Sequence, residues 1–179
     1  MANQIKWAFD PTHSEITFKV KHLMISNVKG EFKQFDSSLV ADDDNLTNAL
    51  AKASIQVASI STNNDDRDGH LKSVDFFEVE KFPTINFEST SIERFDEENG
   101  QLKGNLTIKG ITKEVSFDLE FGGISKDPWG NEKAGFSLNG NINRADFGLT
   151  WNAALETGGV LVSDVIKIAA EIQFVKQVA

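Results

Sequence analysis

Apolar and polar side chains alternate in short runs along most of the chain, the two-residue period of a strand with one buried face. In the run Ser-Glu-Ile-Thr-Phe-Lys-Val-Lys-His, Ile16, Phe18, Val20 and His22 share one face, while Thr17, Lys19 and Lys21 take the other. Residues 28–35 repeat the pattern, with Val28 and Phe32 against Lys29, Glu31 and Lys33. Further strands are predicted over residues 54–60 and around Ile85 and Phe87. Leu102, Leu106 and Ile108 match Val115, Phe117, Leu119 and Phe121 across the segment 109–113, which predicts a hairpin. Ala134, Phe136, Leu138 and Ile142 alternate again, and the chain closes on Ile166, Ile168, Ala170, Ile172 and Phe174. Turn-forming clusters at residues 42–45, 96–100 and 127–130 separate these runs, and one short helix is predicted over about residues 66–74.

About eight strands without crossover helices between them predict an antiparallel sheet. So many antiparallel strands must close or double over to hide their edges. Closed, they leave an interior wide enough for packed side chains or for one small ligand. No linker, repeat or low-complexity segment interrupts the pattern. The expectation is one all-β domain spanning residues 1–179: a single antiparallel barrel of about eight strands with one short helix.

Composition narrows the function classes. The chain has no cysteine, which removes disulfides and thiol chemistry together. Its formal net charge is −9, and no run of Lys or Arg occurs, so nucleic acid is not an expected partner. Such a surface repels anionic headgroups unless basic groups cluster locally. The first ten residues lack the charged start and apolar run of a signal peptide, and no stretch approaches the ~20 apolar residues of a membrane helix. Stable membrane insertion is therefore not expected. The chain either stays in the cytoplasm or is a mature form exported to the periplasm with its leader removed. The chain carries 14 Phe and no Tyr, so its aromatic bulk brings few polar tips. That suits an ordinary core and an apolar cavity equally.

Candidate chemistry is sparse. Asn64-Asp65-Asp66-Arg67-Asp68-Gly69 followed by Asp75 places oxygen donors near calcium-loop spacing, but Asn leads and no long carboxylate closes the loop. A helix start rich in capping residues accounts for it better, and no metal or other cofactor is expected. The three histidines, His13, His22 and His70, lack the close spacing of a zinc site. His22 reads as a barrel-facing histidine satisfied by one hydrogen bond. His13 and Ser14 point to opposite faces and make no catalytic dyad. The Asn-Leu-Thr triplets at Asn45 and Asn105 are glycosylation acceptors only in a eukaryotic secretory setting. Mixed polar and aromatic segments remain, at residues 10–14, 67–71, 75–77 and 143–149. They suit the mouth of a barrel, with polar groups for a headgroup and Phe rings over a tail.

Those segments carry a resemblance. Trp7-x-Phe9-Asp10-Pro11-x-His13-Ser14, then Phe18-x-Val20-x-His22 and Gly30-x-Phe32, are similar to the opening of the YceI-like polyisoprenoid-binding family. The centre continues with Arg67-Asp68-x-His70-Leu71-x-Ser73-x-Asp75-Phe76-Phe77 and Phe82-Pro83-Thr84-Ile85-x-Phe87. Gly104-x-Leu106-Thr107-Ile108-x-Gly110-Ile111-Thr112-Lys113 and Asn143-Arg144-x-Asp146-Phe147-Gly148 complete it. The resemblance implies a lipocalin-like barrel around an elongated pocket for a long isoprenoid lipid, such as a polyprenyl phosphate or the tail of a quinone. It implies no catalytic activity, no required cofactor beyond that ligand, and a homodimer. Phe18, Val20, His22, Phe32 and Phe87 are then expected to line the pocket. His13, Arg67, His70 and Arg144 are expected around its mouth or in a supporting network, with Phe76, Phe77 and Phe147 covering the tail. Two other readings stay open. In one, His70 or His22 modifies a buried lipid whose phosphate Arg67 holds. In the other, the barrel is filled by its own side chains and serves as an interaction surface.

Overall fold

A computed structural model describes residues 4–23, 25–43, 48–152 and 162–177. The predicted turn at 42–45 and the acceptor Asn45 therefore fall partly or wholly outside the described residues. Among the described residues there are eleven strands: β1 (Ile5–Phe9), β2 (Glu15–His22), β3 (Ser26–Phe32), β4 (Phe35–Ala41), β5 (Leu50–Gln56), β6 (Ile60–Ser61), β7 (Thr84–Arg94), β8 (Asn99–Ile108), β9 (Ile111–Lys126), β10 (Glu132–Asn143) and β11 (Val162–Lys176). All pairings are antiparallel, and β1 pairs with both β4 and β11, which closes the sheet.

The eleven strands form eight staves, because three staves are each broken once. β1 and β2 run in succession along β11, with Pro11 between them. Proline has no N–H for the ladder, so the chain kinks there. Asp10 caps the 3₁₀ turn through Thr12 N, and Ser14 Oγ spans the gap by accepting from Gln173 N and donating to Asp10 O. β3 and β4 share the next stave, broken at Lys33–Gln34, and β5 and β6 the third, broken by a 3₁₀ turn at Val57–Ser59. The predicted barrel of about eight strands is the one observed, in finer pieces than alternation suggests.

The loop 109–113 is a tighter hairpin than its sequence predicts. Ile108 pairs directly with Ile111, and Lys109 and Gly110 both have positive φ, 53° and 76°. That is the two-residue turn whose twist matches the flanking strands. The helix α1 (Asp65–Lys72) is N-capped by Asn64, whose side chain accepts from Arg67 N. Two of the calcium-like residues are thus occupied, Asn64 in capping and Asp68 in a buried contact: Asp68 Oδ1 accepts from Thr62 N and Oγ1 at 2.8 and 2.6 Å.

The helix, the 109–110 turn, the 3₁₀ turn at Arg144–Phe147 and the β2–β3 turn gather at one end of the barrel. At the other end Trp7, Leu39, Ala41, Ala49, Ala134, Ala170, Ile172 and Phe174 form a tight cluster. Trp7 is 2% exposed and Ala41 and Ala134 wholly buried, so this end is stoppered.

Candidate functional site

Inward-facing residues of every stave line an internal cavity of about 370 Å³, inside the ~300–1,000 Å³ range of ligand pockets. The barrel is therefore not filled by its own side chains. The lining follows β11 from Val162 to Phe174, about 30 Å along the barrel axis once strand rise and tilt are counted. The space is long, narrow and almost entirely apolar.

Why it stays open lies in three glycines. A Cβ on Gly30 would stand 2.2 Å from the Phe18 ring, one on Gly104 2.5 Å from Phe87, and one on Gly140 2.5 Å from Phe117. Each ring thus lies flat against the wall over a residue with no side chain. Bulk that would otherwise reach the barrel axis is folded back onto the sheet. Gly30 is the cleanest of the three, since all of its nearest atoms belong to Phe18. Gly30→Ala is expected to lift that ring into the cavity and displace one or two methylene-sized groups of ligand. At ~0.8 kcal/mol each, affinity for a long apolar ligand should fall roughly four- to fifteenfold. Calorimetric titration tests this; unchanged affinity would show that the ring's position does not set the capacity.

Of the residues singled out from sequence, Phe18, Val20, His22, Phe32, Phe87, Arg67, His70, Phe76, Phe77 and Arg144 all line the cavity. Phe147 does not. It is 1% exposed and packs behind the wall in the core at the helix end. His13 does not either: it sits at the opposite end, with its side chain 56% exposed and Nδ1 2.9 Å from Asp10 Oδ2. There Asp10 Oδ2 also accepts from Lys133 Nζ at 3.0 Å. Burial opposes ionisation of Asp10, yet the hydrogen bonds from His13, Thr12 and Lys133 outweigh it and hold the carboxyl well below the usual carboxylate range. This network braces the kink between β1 and β2. A carboxyl depressed on folding stabilises the protein above its unfolded pKa of ~3.9, and that contribution vanishes as pH falls through the lower folded value. Asp10→Asn should therefore cost about 1–2 kcal/mol at neutral pH. The gap from wild type should close only below the ordinary carboxylate range, as melting curves across pH would show.

At the helix end the lining turns polar. Arg67 donates from Nε to Thr62 Oγ1 at 2.8 Å and from Nη2 to Thr62 O at 2.9 Å. Among the described residues it pairs with no carboxylate, and Nη1 makes no hydrogen bond there, which leaves N–H groups for the mouth. His70 Nε2 lies 2.9 Å from Asp75 Oδ2, and its ring stands edge-on to Phe76 and Trp151 at 5.0 and 4.7 Å. The His22 ring faces the cavity, but among the described residues it makes no hydrogen bond, so the single partner expected for it is missing.

Arg144 departs most from expectation. The residue is 3% exposed, and its guanidinium donates to four carbonyls: Leu149 O at 2.6 Å, Trp151 O at 2.8 Å, Ser163 O at 2.9 Å and Val162 O at 3.3 Å. Burial pushes its pKa down, and the charge of Asp164 works the other way. It ties the segment after β10 to the start of β11 and has little left for a headgroup.

Sequence reading missed Trp151 and Thr62. Trp151 lies in an irregular segment where alternation gives no facing, and only its ring contacts reveal it as wall. Thr62 is 4% exposed and organises Arg67 and Asp68 together, which nothing in a lone threonine advertises.

A closed antiparallel barrel around a long apolar cavity, stoppered at one end and polar at the other, is an architecture with room for one long apolar ligand. The chain belongs to the YceI-like family, whose domain matches residues 7–174. It is 48% identical over 170 residues to a UPF0312 protein of Staphylococcus epidermidis, covering 94% of this chain and 96% of that one. A UPF0312 protein of Staphylococcus aureus is 46% identical over 169 residues, with the same coverage. Among solved structures, the Campylobacter jejuni YCEI protein superposes with a TM-score of 0.76 at 37% identity, over 88% of this chain and 90% of that one. A polyisoprenoid-binding domain from Saccharophagus degradans shares the fold, with a TM-score of 0.69 at 15% identity over 96% and 98%.

Proposed function

We propose that this protein binds one long-chain isoprenoid lipid, tail in the barrel and head at the helix end, as a carrier or reservoir and without catalysing its modification. The ligand chemistry is that of a polyprenyl phosphate or an isoprenoid quinone. The observation that carries this reading is the charge of the lining. Every ionisable side chain bordering the cavity is basic (Lys21, His22, Lys52, Arg67, His70 and Arg144) on a chain of net charge −9. Lys52 turns outward toward Glu88, Lys21 lies on the outward face of β2 with Lys19, and Arg144 is tied to carbonyls, which leaves His22, Arg67 and His70 at the mouth. An apolar tunnel with a basic rim suits an amphiphile with an electron-rich head. Membership in a family with a polyisoprenoid-binding fold relative supports the isoprenoid over other apolar chains. The reading requires no metal or cofactor, and among the described residues no helix is long and apolar enough to cross a membrane.

Mass spectrometry of an organic extract from purified protein should find an isoprenoid lipid at near-stoichiometric amount. Extracts free of long-chain lipid, from protein that also fails to take up added lipid, would refute the reading. Arg67→Ala separates the two head chemistries. A charged donor to phosphate is worth about 1.5–3 kcal/mol, so a polyprenyl phosphate should lose at least tenfold in affinity and a neutral quinone little. Equal losses tracking a lowered Tm would reduce Arg67 to a brace for Thr62.

A further inference from the structure

The outer surface beside the mouth is layered in a way that barrel stability does not explain. Lys19 on β2 sits directly opposite Lys29 on β3 and Lys167 on β11, so three lysines lie side by side across adjacent strands. Like charges directly opposite each other destabilise a sheet. All three are exposed, and among the described residues neither they nor Lys21 form an ion pair. Away from the mouth, the same three strands carry Glu15, Glu31 and Glu171 on their outer face. Toward the mouth they end in apolar residues: Leu23 is 39% exposed, Ile25 85% and Val165 46%.

Leu23 adds a second anomaly. It lies at φ 55° in the turn between β2 and β3, a conformation that favours Gly or Asn. Neither packing nor backbone preference calls for exposed leucine and isoleucine there. Acidic, basic and apolar tiers thus follow one another toward the mouth.

We infer that this flank of the mouth docks reversibly on an anionic lipid bilayer, with Leu23 and Ile25 entering the interface and Lys19, Lys21, Lys29 and Lys167 meeting the headgroups. This order of tiers, apolar tip first and basic belt behind it, is what a peripheral surface presents to a membrane. A two-fold contact centred on the lysine belt would press lysines against lysines, which disfavours a second copy of the chain as the occupant there. Asp164 stands exposed at the same rim, where its charge also acts on Arg144. Asp65 and Asp66 open α1 at that end and repel headgroups, so contact is confined to the β2–β3 flank. The net charge of −9 repels the bilayer elsewhere, which makes the contact orienting: it sets the mouth of the tunnel at the membrane surface, where an isoprenoid can pass without crossing water.

The inference rests on the lipid-binding reading for its purpose, but its test does not. Co-sedimentation with vesicles of equimolar phosphatidylcholine and phosphatidylglycerol should capture the protein, whereas pure phosphatidylcholine vesicles should not. Added salt should release it. Lys19→Gln with Lys29→Gln should weaken vesicle binding about 25-fold, at roughly fivefold for each lysine near such a surface. Ile25→Asp should weaken it at least about tenfold. Trp129→Ala, which removes an apolar side chain 83% exposed in the β9–β10 turn at the far end, should change nothing. The lysine variants should melt at or slightly above the wild-type temperature, since they relieve like-charge repulsion, and the Ile25 and Trp129 variants should match wild type. Binding to both vesicle types alike, wild-type affinity in the lysine and Ile25 variants, or loss on Trp129→Ala would each overturn the inference. So would an association state that shifts with the lysine changes while vesicles go unbound. Loading the Ile25→Asp protein with detergent-dispersed isoprenoid keeps the two claims apart: retained uptake with lost docking supports both, and docking by a protein that takes up no lipid refutes the cavity reading alone.

Discussion

Ala53→Trp is expected to weaken binding of a long isoprenoid about a hundredfold while leaving the barrel folded. Ala53 lies on β5 opposite Phe87 and borders the cavity midway along its length, where its small side chain leaves the channel passable. An indole there would exclude about four methylene-sized groups of ligand. At ~0.8 kcal/mol each, that is about 3 kcal/mol, or roughly a hundredfold in Kd. Crowding a packed core costs about 1–3 kcal/mol, but an indole that enters open space should cost less. Tm should fall by no more than about 3–6 °C for a chain of this size. Titration with a quinone and a melting curve give both numbers. A Tm loss well beyond that, in protein purified without ligand, would mean that the space is closed in solution and the barrel is filled.

Arg144→Met is expected to act the other way, on stability first. Methionine fills much of the same volume but donates no hydrogen bond, so the carbonyls of Leu149, Trp151 and Ser163 lose their Arg144 donor together, while Val162 O keeps Asn152 Nδ2 at 2.7 Å. Leaving three buried carbonyls without that donor, at about 1–3 kcal/mol for each unsatisfied group, should cost about 3–5 kcal/mol in all and lower Tm by roughly 10 °C. Arg144→Lys should rescue little, because one ammonium cannot reach four carbonyls held in a planar fork. Affinities for phosphorylated and neutral lipids should fall together as the wall around Trp151 loosens. A variant that melts like wild type and loses only the phosphorylated ligand would return Arg144 to the headgroup site.

The chain's alternation was enough to determine the class of fold and most of the cavity wall. Period-two patterning fixes which face of each strand is buried, and one buried face on every strand requires the sheet to close or double over. Phe18, Val20, Phe32 and Phe87 were legible for that reason. The order of motifs from Trp7 to Gly148 was likewise enough to place the family. Alternation cannot say how deep a residue lies or what stands across from it, because those depend on register and closure. His13 and Arg144 show the consequence. Both sit in polar segments that look alike in sequence, yet one braces a kink at the far end and the other is buried against carbonyls. Whether the interior is open was also undecided by sequence, since Phe-rich faces serve a filled core equally well. The tertiary structure decided it by laying Phe18, Phe87 and Phe117 over Gly30, Gly104 and Gly140, pairs that meet only once neighbouring strands are in register. The lysine belt is a result of the same kind: Lys19, Lys29 and Lys167 are scattered in the chain and become one patch only because β3, β2 and β11 lie side by side.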